Sequence, residues 1–171
     1  MKVDLNADVG ESYGRYTLGL DEELIPLISS ANIACGFHAG DPVVLEKTVG
    51  ICEKAGTAIG AHPGFPDLQG FGRRNMNLSP KEVKAMMLYQ IGAADAFLHK
   101  NGGKLQHVKP HGALYNMAAK EESLAKAICE AVLEYDKSLI ILAQSSGALY
   151  KEAVKLGLPV RAEVFMDRAY E

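Results

Sequence analysis

Val3-Asp4-Leu5-Asn6-Ala7-Asp8 alternates apolar and polar side chains without a break. Side chains two apart on a strand share a face, so Val3, Leu5 and Ala7 point towards covering helices while Asp4, Asn6 and Asp8 point together to the other side. Placing three such groups inside a fold is expensive unless they are hydrogen-bonded, paired or bound to a ligand. The alternative is a solvated edge strand, but parallel strands are seldom exposed. The same design recurs downstream. Asn32, Ala34 and Gly36 lead to His38, Ala58 and Gly60 lead to His62, and His107, Lys109 and His111 share a face while Val108 takes the other, with Pro110 ending the ladder.

Strands are expected near 3–8, 31–36, 57–62, 106–110, 139–143 and 160–165, with helical periodicity between them, the pattern of βα units around a parallel sheet. Ser79-Pro80-Lys81-Glu82 reads as a helix start in which Ser79 caps, Pro80 takes the first turn and Glu82 completes a capping box. That helix runs to about Asn101, with Val83, Met86, Met87, Ile91, Ala94, Phe97 and Leu98 on one stripe. Further helices are expected from Asp41-Pro42 to Gly56, from Glu122 to Tyr135 and from Gly147 to Leu156, and a short one at Asp21. Periodicity alone does not separate a doubly wound sheet from a barrel. The placement of polar residues does, because a doubly wound sheet gathers its site at one switch point, whereas here nearly every strand ends in reactive side chains. The expectation is an α/β fold, an irregular TIM-like (βα) barrel, forming a single domain over 1–171. A full barrel takes about 250 residues, so about six strands imply that one or two units are lacking.

The chain has 171 residues, 48% of them hydrophobic, with a net charge of −3. That balance leaves no basic field for nucleic acid. Carboxylates interrupt the N-terminus, and the longest apolar run, Leu139 to Ala143, is far too short to span a bilayer. A cytoplasmic protein with neither a nucleic-acid nor a membrane partner is expected. Cys35, Cys52 and Cys129 lack metal-site spacing and read as core residues.

Asp8, His38 and His62 have the chemical types of a divalent metal site, though not a self-identifying spacing; without metal, Asp8 can orient a histidine acting as general base. Lys109 reads as a Schiff-base nucleophile, a clamp for an anion or an ion-pair partner of an inward carboxylate. Arg161 and Glu163 are candidates for an internal ion pair. The long connection from Pro63 to Arg74 carries glycine hinges, Phe65 and Phe71, and the pair Arg73 and Arg74, which can clamp a carboxylate or simply meet solvent. No glycine-rich phosphate cradle is present.

Five motifs resemble the LamB/YcsF family of bacterial 5-oxoprolinase subunits: Asp4 to Glu11, Ser30 to Asp41, Gly60 to Asp67, Val108 to Tyr115 and Glu163 to Tyr170. The resemblance implies a barrel of the glycoside hydrolase/deacetylase type. It implies ATP-dependent hydrolysis of the cyclic amide 5-oxoproline to L-glutamate together with subunits B and C, with ATP as co-substrate. It departs at Met166, where the family carries a small residue, and at Glu171, beyond which the family continues. Catalysis is then expected from Asp8, His38, His62, Lys109 and His111. Substrate binding is expected from Asn6, Glu11, Asn32, Asp41, Arg73, Arg74, Asp167 and Arg168. A metal-dependent amide hydrolase without ATP, an aldolase using Lys109, and a non-catalytic interaction subunit or self-associating fragment are the competing readings.

Overall fold

Each short apolar run becomes a parallel strand in the computed structural model, which describes residues 3–165. The strands are β1 (Asn6–Val9), β2 (Ser30–Ala34), β3 (Ala58–His62), β4 (His107–Val108), β5 (Ile140–Gln144) and β6 (Val160–Glu163). They lie side by side in chain order, β1-β2-β3-β4-β5-β6, all parallel. An order without reversal has no switch point, and the sheet curls into a half-barrel. Register puts Asp8 beside Asn32, Asn32 beside Gly60 and Gly60 beside His107, which lines the concave face with polar residues of β1, β2 and β4 and with a glycine of β3 between them.

Helices α1 (Asp21–Leu24), α2 (Pro42–Ala55), α3 (Pro80–His99), α4 (Gly112–Ala118), α5 (Glu122–Tyr135) and α6 (Ala148–Lys155) connect the strands. The capping box of α3 forms as expected. Ser79 Oγ accepts from the Glu82 amide at 3.3 Å, and Glu82 accepts from the Ser79 amide at 2.8 Å, a cap that contributes about 1 kcal/mol. Val83, Met86, Met87, Ile91, Ala94 and Leu98 are buried, and Phe97 packs at the margin of the same core. Asp41 caps α2, and Gly56 ends it with φ 72°. The three cysteines are free and buried.

Two expectations need correction. β1 starts at Asn6, and Val3 and Leu5 are 69% and 46% exposed, so helical cover reaches the strand only near Val9. Helix α4 was not foreseen. Gly112, at φ 54°, turns the chain into it immediately after His111. Met166, Asp167 and Arg168 lie outside the described residues.

Candidate functional site

Four interior side chains form a floor beneath the strand ends. Asn32 is fully buried; its Nδ2 donates to Asp8 Oδ1 at 2.7 Å and to Asn6 Oδ1, while its Oδ1 accepts from His107 Nε2 at 2.7 Å. Asn6 in turn donates to Ser30 Oγ at 2.7 Å. The side-chain amides of Asn6 and Asn32 are thus both engaged in this network. Gly60 makes room for it, because a Cβ there would collide with the His107 ring.

Above this floor Asp8 is held by Lys109, whose Nζ lies 3.1 Å from Asp8 Oδ1 and 2.7 Å from Glu163 Oε1. Of the roles open to Lys109, the structure builds the ion pair. Glu163 therefore pairs with Lys109, not with Arg161, which is exposed and donates to the Val160 carbonyl. Burial works to raise the Asp8 carboxyl, but His62, Lys109 and the Asn32 hydrogen bond outweigh it and hold it well below the usual carboxylate range.

The histidines meet at the rim. His38, His62 and His111 are 1%, 1% and 3% exposed. The rings of His38 and His111 stack with centroids 3.6 Å apart, and His62 stands edge-on to both. Backbone carbonyls fix two of them: His62 Nδ1 donates to the Lys109 carbonyl at 2.7 Å, and His111 Nε2 donates to the Phe71 carbonyl at 2.8 Å. Glu11 joins from the loop after β1, its Oε1 3.1 Å from His38 Nε2 and 3.7 Å from His111 Nδ1. Donor atoms of Glu11, His38, His62 and His111 all lie within 4.8 Å of one another, close enough to hold a single ion. Asp8, expected as the metal carboxylate, approaches His62 Nε2 at 3.4 Å but stands outside that group, and Glu11 takes its place.

The connection after β3 is what aims His111. Gln90 of α3 brackets Gly64, accepting from its amide at 2.9 Å and donating to its carbonyl at 3.0 Å. Asp67, paired with Arg74, accepts from the Gly70 amide at 2.9 Å, and its carbonyl accepts from the Gly72 amide at 2.9 Å. This turn sets Phe71 at φ 54°, a conformation that L-residues seldom adopt, and points the Phe71 carbonyl at His111. Arg74 is thus engaged in the loop, and Arg73 lies over the Phe71 ring. Asp41 is likewise spent on backbone, accepting from Val43, Val44 and Gly14. Of the residues expected to bind substrate, the structure brings Glu11 to the histidines, keeps Asn6 and Asn32 beneath them, and commits Asp41 and Arg74 elsewhere. Glu163, Asp67 and Gln90 were missed as parts of the site. For Glu163 a signal existed, since it falls on the same strand face as the paired interior residues.

Burial, with the neighbouring His62, pushes His38 down to about 2 and His111 down to about 3, and burial pushes His107 down to about 4. An unfolded histidine titrates near 6.5, so below that pH the unfolded chain binds more protons than the folded one. Stability is expected to be level above about pH 7 and to fall below about 6.5, by up to about 1.4 kcal/mol per pH unit for each of the three groups. Burial raises the Glu11 carboxyl, which subtracts from this loss at the acid end. Urea denaturation from pH 8 to 4 measures it, and a stability independent of pH across 6.5 to 5 would contradict neutral burial of the histidines.

Comparison with known proteins now bears on this constellation. The LamB/YcsF family model matches residues 3–171. The chain belongs to the LamB/YcsF family. Among its relatives is a protein of Clostridium beijerinckii named as the A subunit of 5-oxoprolinase, 63% identical over 170 residues, covering 99% of this chain and 67% of the relative. A protein of Pyrococcus abyssi with the same name is 56% identical over 170 residues, again covering 99% of this chain and 67% of the relative. The crystal structure of a lactam utilization protein from Thermus thermophilus superposes with a TM-score of 0.97 at 54% identity, covering 99% of this chain and 69% of that one. The chain thus spans about two thirds of the length of these family members. Among the described residues no helix is long and apolar enough to cross a membrane.

Proposed function

We propose that this chain is the component of a 5-oxoprolinase that brings water to the lactam carbon, working with subunits B and C in the ATP-dependent conversion of 5-oxo-L-proline to L-glutamate. The observation that carries this reading is the union, at one set of strand ends, of a strongly acidic carboxyl, Asp8, with a buried cation, Lys109, and three imidazoles. The names of the relatives supply the substrate class.

A lactam is an unactivated amide. Transfer of the γ-phosphoryl group of ATP to its oxygen would turn the ring carbon into an electrophile; water then adds there and the ring C–N bond breaks as the nitrogen takes a proton. This leaves the side-chain carboxyl as an acyl phosphate, which a second water hydrolyses to glutamate and phosphate. The sequence has no phosphate cradle, so ATP use is assigned to the complex as a whole. His62, backed by Asp8, takes the proton of the attacking water. Lys109 offsets the negative charge that develops on the former carbonyl oxygen. Arg73, exposed beside the site, and Arg168 are the remaining candidates for holding the substrate carboxylate.

Reconstitution tests this. Mixed with subunits B and C, the protein is expected to support 5-oxoproline-dependent ATP hydrolysis with glutamate released in equal amount. Omission of this chain should abolish glutamate release. Glutamate formed at an undiminished rate by B and C alone would overturn the proposal. Lactam opening by this chain alone without ATP would favour the amide-hydrolase reading instead.

A further inference from the structure

Hydrogen bonding leaves the two best-determined imidazoles in an unusual relation. His62 spends its Nδ1 proton on the Lys109 carbonyl, and His111 spends its Nε2 proton on the Phe71 carbonyl. In neutral rings the nitrogens left over, His62 Nε2 and His111 Nδ1, both carry lone pairs. Those two nitrogens lie 3.0 Å apart. Two acceptors at that distance repel unless something positive sits between or beside them. Backbone crowds His38 and His111 on one side. A Cβ on Gly72 would meet His38 at 2.7 Å and His111 at 2.8 Å, and one on Gly64 would meet His38 Nδ1 at 2.7 Å, so the backbone is pressed against the rings.

The same point is approached from the other side by an oxygen. Glu11 Oε1 lies 3.1 Å from His38 Nε2 and 3.7 Å from His111 Nδ1. Separations of this order are what four donors show when each sits about 2.0–2.2 Å from one shared ion. The carbonyl bonds on the far nitrogens of His62 and His111 are also the support that metal-bound imidazoles ordinarily receive, fixing tautomer and ring direction.

We propose that Glu11, His38, His62 and His111 bind one divalent transition-metal ion of the zinc and cobalt class. Three imidazole nitrogens and one carboxylate oxygen suit such ions and do not suit magnesium or calcium, which take mainly oxygen. Asp8, held by Asn32 and Lys109, stays beside the ion as a separate carboxylate. A proton shared between His62 and His111 is the other way to reconcile the lone pairs, and it predicts no metal uptake.

The test uses the purified chain, stripped with chelator and titrated with Zn2+ by calorimetry and with Co2+ by visible absorption. One equivalent is expected to bind, with Co2+ giving the intense visible bands of a nitrogen-rich, low-coordinate site. Loss of an outer partner of a metal ligand typically costs 10–100-fold in affinity, so His62→Ala and His111→Ala should each cost at least about 100-fold. Glu11→Gln should weaken binding more than Asp8→Asn, and His99→Ala should leave it unchanged. Circular dichroism of each variant separates lost binding from lost folding. No uptake by a folded wild-type chain overturns the proposal, and so does binding that depends on Asp8 but not on Glu11. The proposal touches the lactam reading at one point, since an ion on His62 Nε2 would take over from that nitrogen the activation of water; metal uptake is read without substrate, so each can still fail alone.

Discussion

Lys109→Met is expected to lower folding stability by about 3–5 kcal/mol, measured by urea denaturation at pH 7.5, and to abolish glutamate formation by the reconstituted complex. Lys109 is 5% exposed and sits between Asp8 Oδ1 at 3.1 Å and Glu163 Oε1 at 2.7 Å, with its ammonium 5.3 Å from the centre of the Phe165 ring. Methionine keeps the length and bulk of the stem while removing the charge, so the loss reports electrostatics rather than a cavity. Asp8 is partly open to water, but Glu163 has little recourse: its side chain is 12% exposed and its Oε2 is buried without a hydrogen-bond partner among the described residues. Taking away the cation leaves that carboxylate uncompensated. Adding Glu163→Gln to Lys109→Met should therefore restore part of the stability, giving a coupling of about 0.5–3 kcal/mol, while activity stays lost. Additive losses, or a single-mutant cost under about 1 kcal/mol, would show that the two charges do not meet in the folded protein.

That pair also illustrates what could be read from the residues beforehand. Alternation placed Asp4, Asn6 and Asp8 on one face, and successive strand ends placed His38, His62 and His111 together, because a period of two is a local property of extended chain. The capping box at Ser79 and the glycine stop at Gly56 were legible for the same reason: each is written within four or five residues. What escaped was set by contacts between distant segments. Glu163 could pair with its strand neighbour Arg161 or across the sheet with Lys109, and only the curl of the half-barrel decides for Lys109. Glu11 lies beyond the end of β1, where strand alternation no longer says which way a side chain turns. Arg74 was left open between a ligand clamp and a solvated arginine because its partner Asp67, seven residues back, is brought to it by a loop whose shape no periodicity describes. Helix α4 was hidden because Pro110 signals the end of a strand, while the left-handed turn at Gly112 that starts the helix depends on the Gly72 carbonyl, which accepts from the Ala113 amide at 2.9 Å.

His62→Ala is expected to reduce kcat for glutamate formation by about 10²–10⁴-fold in the reconstituted complex, with a much smaller change in KM. His62 is where the two halves of the site touch: its Nε2 lies 3.0 Å from His111 Nδ1 and 3.4 Å from Asp8 Oδ2, while its Nδ1 is tied to the Lys109 carbonyl. Whether it takes the proton of water itself or holds an ion, its loss disconnects the Asp8 and Lys109 pair from the other imidazoles. A buried ring also contributes packing, so the comparison that matters is His107→Ala. His107 is as deeply buried, at 1% exposure, but its Nε2 bonds to Asn32 within the floor and does not reach the rim. Both variants should lose comparable stability, since each removes an imidazole from a tightly packed interior. In activity they should part, with His107→Ala losing about tenfold or less through a loosened Asn32 and Asp8, because a supporting contact shifts the reacting group without deleting it. Equal losses of kcat in the two folded variants would mean that His62 serves packing alone, and the chemistry would have to move to His38 or His111.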